Sequence, residues 1–165
     1  MSTLGDLLAE HTVLPGSAVD HLHAVVGEWQ LLADLSFADY LMWVRRDDGK
    51  VVCVAQVRPN TAATALLPDA VGTLANTGDL PIVAAAFEAG VIGGAKFEGR
   101  DGSPGLSVEA VPVRHGSRVV AVLTHQTSLA PRQSSPLETA YVDCAGDLLH
   151  LLSEGPFPNA GDRAV

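Results

Sequence analysis

The side chains able to do chemistry are few and scattered. Cys53, Cys144 and His125 are the soft donors, and brought together they would suit a soft metal ion or a redox sensor. Taken singly, each cysteine reads as packing. Cys53 alternates with Val51, Ala55 and Val57 on one strand face, Cys144 lies on an apolar helical stripe, and free cysteine is commonly a small buried hydrophobe. His21 and His23 stand two residues apart on a helix, so they point to different sides and cannot chelate as an i, i+4 pair does. The surrounding "DHLHAVVGEW" does not resemble the sequence around a phosphoacceptor histidine. His115, between Arg114 and Gly116, falls at a hairpin tip and reads as an exposed turn residue.

A different chemistry attaches to "RPNTAAT", residues 58–64. Pro59 holds the preceding backbone extended, and Arg58, Thr61 and Thr64 then offer one fixed charge and two hydroxyls, the wall of a ligand pocket. The alternative is that Arg58 pairs with a carboxylate such as Glu109 while the threonines satisfy loop backbone; both readings stay open. No G-x-x-x-x-G-K-[ST] phosphate loop occurs, and the glycines of "GVIGGAKFEGRDGSPG" lack that spacing. No catalytic residue, no resident metal and no cofactor are assigned to this chain.

The elements that must position these residues begin with a short amphipathic helix running from a Ser2 or Thr3 cap to about His11, broken at Pro15-Gly16. Ser17 is expected to cap a second helix whose Ala18, Leu22, Val25, Trp29 and Leu32 recur at helical spacing. "YLMWVRR" and "KVVCVAQVR" flank Asp47-Asp48-Gly49, a hairpin signal. Residues 59–80 read as loop, Asp79 as the cap of a short helix ended by Gly90, and 93–105 as a mobile loop. A second hairpin follows, "SVEAVPVRHGSRVVAVLTHQT". Ser135-Pro136-Leu137-Glu138 then opens a long helix, a capping box with Pro at the first helical position. In that helix Leu137, Tyr141, Cys144, Leu148 and Leu151 form an apolar stripe. The order predicts an α+β domain: an antiparallel β-sheet of the GAF/PAS type with helices packed on one face, the N- and C-terminal helices adjacent.

Composition narrows the function classes. The 165 residues suit one domain, burying roughly 70% of the unfolded surface. With 47% apolar residues the chain is expected to pack rather than stay disordered. A net charge of −9 with ten scattered Lys and Arg argues against a nucleic-acid surface. No run approaches the ~20 apolar residues of a membrane span, and "MSTLGDLLAEHT" has no basic, long-apolar leader character, so a cytoplasmic protein is expected.

Four segments in order, "LLADLSFADYLMWV", "VAQVRPNTAATALLPDAVG", "AAAFEAG" and "EAVPVRHGSRVVAVLT", resemble the N-terminal GAF-like domain of cytoplasmic actinobacterial sensor histidine kinases. The resemblance runs from about Ser17 to Leu152. It implies a lead-in over 1–16, a sensor domain over 17–152, and a linker over 153–165 toward a PAS-like domain. It also implies a parent kinase that uses ATP in a domain absent here, a response regulator of the RNA-binding antiterminator type, an unknown small-molecule signal, and a homodimer.

Two rivals remain at this level: a ligand-free dimerisation or docking module, and a Cys/His metal or redox sensor. Familiar ligands of such domains find little support. The Asn-Lys…Phe…Asp-Glu constellation of cyclic-nucleotide binders cannot be traced, a bilin needs a reactive pocket cysteine, and a haem needs an axial ligand.

Overall fold

The computed structural model describes residues 3–61, 69–99, 101–102, 104–128, 135–155 and 157. Helix α1 (Leu4–His11) opens with a capping box: the Asp6 backbone N–H donates to Thr3 Oγ1 at 3.2 Å, and the Thr3 N–H donates to the Asp6 carboxylate at 3.1 Å. Helix α2 (Gly16–Ser36) starts one residue before the expected Ser17 cap. Pro15 holds the cap position with no side-chain bond, its extended backbone sufficing to turn the chain into the helix. Strands β1 (Asp39–Arg45) and β2 (Val51–Val57) form the Asp-Asp-Gly hairpin, with Gly49 at φ 84°.

Across that hairpin Met42 pairs with Ala55 but Trp43 with Cys53, so Val54 is the extra residue of a β-bulge. The bulge corrects the expected alternation. Val51 and Cys53 pack toward one sheet face, while Ala55 and Val57 join Val52 and Val54 on the other. β2 is buried on both faces.

The short strand β3 (Leu74–Ala75) lies at one edge, and helix α3 (Pro81–Ala89) follows. Asp79 does not cap α3; Leu80 occupies the N-cap without a side-chain bond, and Pro81 presets the first turn. Residues Gly93–Phe97, expected within a mobile loop, form edge strand β4 against β5. β5 (Leu106–His115) and β6 (Arg118–Ser128) make the second hairpin through Gly116-Ser117. The tip is a turn, as expected, but His115 is half-buried rather than exposed, its ring 5.0 Å from that of His21 on α2. Helix α4 (Pro136–Glu154) begins where Ser135 Oγ accepts from the Glu138 N–H at 3.1 Å.

The six strands run antiparallel in the order β3-β2-β1-β6-β5-β4. α1, α2 and α4 cover one face over the main core, with α2 beside α4 as expected. The short α3 covers part of the other face, over Leu41, Trp43, Val51, Cys53, Ala110 and Val122. α4 is turned about its axis relative to the expected stripe. Ala145, Leu149 and Leu152 are buried, whereas Leu137, Tyr141, Cys144 and Leu151 are exposed. Both faces of α4 are apolar, so spacing alone could not choose between them.

Candidate functional site

The α3 face of the sheet carries a cavity of about 360 Å³. Its floor is a tile of alternate residues from four neighbouring strands: Leu41 and Trp43 of β1, Thr124 and Gln126 of β6, Leu106 and Val108 of β5, Ala95 and Phe97 of β4. Side chains two apart on a strand share a face, and the cross-strand pairs Leu41–Thr124, Val108–Gln126 and Phe97–Leu106 bring the tile together. Residues 79–83, which lead into α3 and form its first turn, make the roof. The lining is overwhelmingly apolar, with Thr124, Gln126 and Asp79 as its polar members.

Inside the wall, Trp43 Nε1 donates to Thr124 Oγ1 at 3.0 Å, so the indole N–H is satisfied without water. α3 is held over the sheet by Val83, Ala86 and Phe87. At its outer side Arg45 lies 5.1 Å from the Phe87 ring centre and pairs with Glu88 at 3.0 Å. A compact, mostly apolar molecule with a single polar group would match such a site.

The residues singled out in the sequence lie elsewhere. Arg58 lines a separate, open groove of about 450 Å³ with Gln30, Gln56, Val57, Asp69 and Val71. The strap 58–61 is tied to α2: Gln30 Nε2 donates to the Arg58 carbonyl at 2.9 Å, the Asn60 N–H to Asp34 Oδ1 at 2.7 Å, and the Thr61 hydroxyl to the Asp34 carbonyl at 2.8 Å. Thr61 therefore donates to a carbonyl of helix α2, not to loop backbone. Thr64 lies outside the described residues. Glu109, weighed as a partner for Arg58, is bonded to His125.

The soft donors are not brought together. Cys53 packs on the α3 face, whereas Cys144 sits exposed on α4, which covers the opposite face. Burial pushes the Cys53 thiol up to about 12, and its Sγ donates to the Ala55 carbonyl. Cys144 is thus not the core residue its stripe suggested. His125 is stacked on Tyr40 with centroids 4.8 Å apart and bonded to Glu109 Oε1 at 3.0 Å. That bond, with the nearby charges of His125 and His150, outweighs burial and lowers the Glu109 pKa. Burial raises the Tyr40 pKa, and its hydroxyl meets Ser36 Oγ at 2.7 Å. Among the described residues no group of three or more His, Cys, Asp or Glu is placed to hold a metal.

Sequence reasoning missed the cavity because it hid the β4 side of the tile, Ala95 and Phe97, inside an expected loop. The available signal was the alternation of Ala95 and Phe97 after Gly93-Gly94, facing the alternation of Leu106 and Val108.

Comparison with known proteins bears on the whole domain. A family model described as "Histidine kinase PdtaS, GAF domain" matches residues 4–145. The chain is 72% identical over 169 residues to the sensor histidine kinase PdtaS of Mycolicibacterium smegmatis, covering all of this chain and 34% of that protein. It is 66% identical over 170 residues to PdtaS of Mycobacterium tuberculosis, with the same coverage. The chain thus spans about a third of the length of these relatives. A solved structure described as the sensor region of a sensor histidine kinase superposes with a TM-score of 0.83 at 62% identity, over 98% of this chain and 55% of that one. The GAF domain/HD domain protein of Geobacter sulfurreducens shares the fold, with a TM-score of 0.52 at 15% identity over 83% of this chain and 94% of that one.

Proposed function

This chain belongs to the family of the histidine kinase PdtaS GAF domain, and from that premise we propose that it is a sensory input domain whose signal is a small molecule held under α3. The cavity carries this reading: a roofed, mostly apolar space of about 360 Å³ that the domain's own side chains leave unfilled. Binding there has consequences only through differential affinity for two arrangements of the roof and the helices beyond it. A coupling of ~1–3 kcal/mol would be enough to shift a kinase between states.

The receiving parts lie outside this chain: an ATP-using kinase core in the rest of the parent protein and, downstream, a separate response regulator of the RNA-binding antiterminator type. α2 and α4, side by side on the face opposite the cavity, are the route out. No helix among the described residues is long and apolar enough to cross a membrane, and we place the protein in the cytoplasm. The exposed apolar row of α4, with Leu137 at 59% and Tyr141 at 39% exposure, favours a partner there, and a second copy of the chain is the partner we propose.

The Arg58 groove is the competing entry point. Its open, polar lining of Gln30, Gln56, Arg58 and Asp69 favours a polar ligand. Autophosphorylation of the full-length kinase separates the two. Val108→Phe, which fills the cavity floor, is expected to change the phosphorylation level, while Arg58→Ala with Thr61→Val leaves it unchanged. The reverse pattern moves the signal to the groove, and no change in either removes the sensory reading.

A further inference from the structure

We infer that Arg114 is the positioning residue through which the α3 roof of the cavity governs the last turn of α4. The inference rests on the sensory reading of the cavity and names its regulation.

The guanidinium of Arg114 reaches three carbonyls at once. Nη2 donates to the Gly90 carbonyl at 2.9 Å, Nε to that of Ser153 at 2.9 Å, and Nη1 to that of Ser117 at 3.2 Å. Gly90 is the C-cap of α3, and Ser153 lies in the last turn of α4. The final carbonyls of a helix have no partner within the helix and carry the negative end of its dipole. One cation thus completes two helix ends that lie on opposite faces of the sheet.

Two features make this a linkage and not a loose contact. Gly90 stands at φ 66°, and a Cβ there would collide with Arg114 Nη2, so the close approach depends on glycine. Arg114 itself is mounted rigidly. It follows the β-bulge at which Val113 pairs with Ala121 and Arg114 with Val119, which re-aims its side chain. The next residue, His115, packs its ring against that of His21 of α2 at 5.0 Å. The planar fork fixes the separation of the Gly90 and Ser153 oxygens, which the single ammonium of lysine would not do. A roof lifted at residues 79–83 therefore pulls on Gly90, and α4 either follows or loses its Ser153 bond.

Hydrogen exchange on the 165-residue chain tests this, with Val108→Phe as a permanent occupant of the cavity. With Arg114 intact, Val108→Phe should change exchange by about threefold or more both in α3 and in residues 150–155. In the Arg114→Lys and Gly90→Ala backgrounds, which break the link from its two ends, α3 should still respond while 150–155 no longer does. A purely structural clamp would lower the melting temperature in both backgrounds yet leave that response in place. The coupling is overturned if 150–155 responds equally in those backgrounds, or stays silent in the parent chain while α3 responds. Silence of α3 itself would instead defeat the cavity reading, and the coupling with it. Should Arg114→Lys lose cooperative melting, Gly90→Ala decides.

Discussion

Trp43 and Thr124 join β1 to β6 from within the cavity wall, the indole N–H donating to the hydroxyl at 3.0 Å. They are diagonal neighbours, since Trp43 pairs with Val122 and Leu41 with Thr124. Thr124→Val keeps the shape and removes the acceptor, leaving a buried N–H unsatisfied. The expected loss is ~1–3 kcal/mol in a denaturant titration, with a shift in tryptophan emission. A change below about 0.5 kcal/mol would show that the bond does not hold the wall.

Stability should fall in two separate acid windows. His21 is buried, and desolvation, then the charge of His115, lowers its pKa from the usual 6.5. The unfolded chain therefore takes up a proton near that value while the folded chain resists it, so stability declines as pH falls below about 6.5. Glu109 is depressed from 4.5, chiefly by its bond to His125, so its contribution is present above that value and lost below it. Between pH 7 and 5, His21→Phe should flatten the melting curve against pH, whereas Glu109→Gln should run parallel to the parent until the pH falls further. Parallel curves for His21→Phe would contradict the assignment.

The two cysteines should differ sharply toward an alkylating reagent. Cys144 is exposed, while Cys53 is buried with its thiol pushed up to about 12. Mass spectrometry of the native chain should find a single label, at Cys144, and a second only after denaturation. Equal labelling of both in the native state would mean that β2 is open to solvent.

The outer face of α4 should mediate self-association. Leu137 and Leu151 are 59% and 37% exposed, so an aspartate at either position costs the folded monomer little. Sedimentation should show a dimer for the parent chain and a monomer for Leu137→Asp with Leu151→Asp. A parent chain that stays monomeric at the same concentrations removes this interface.

Much of the architecture was legible before the structure. Both hairpins carry turn chemistry at Asp48-Gly49 and His115-Gly116, and the helix ends are marked by Thr3, Ser135 and Gly90. Two misreadings have the same origin, a local rule overruled by packing. The bulge at Val54 reverses the faces of β2, and alternation in the sequence carries no mark of the residue at which it will slip. α4 offers two apolar faces, and the small Ala145 on the less conspicuous one packs inward. The site was the least legible part. Its floor joins β1 to the consecutive strands β4, β5 and β6 far along the chain, and no single segment of it looks like a pocket. Arg58 drew attention as a lone charge beside hydroxyls, yet the strap that carries it is bonded along α2.

As a sensory domain, this protein should receive a small molecule in the space under α3. The most direct measurement is a melting-temperature screen of compact, mostly apolar compounds on the parent chain and on Val108→Phe in parallel. Compounds that occupy the cavity should raise the melting temperature of the parent chain, by mass action on the folded state, and do nothing for Val108→Phe. Compounds that stabilise both chains equally would place the binding site outside the cavity and contradict it.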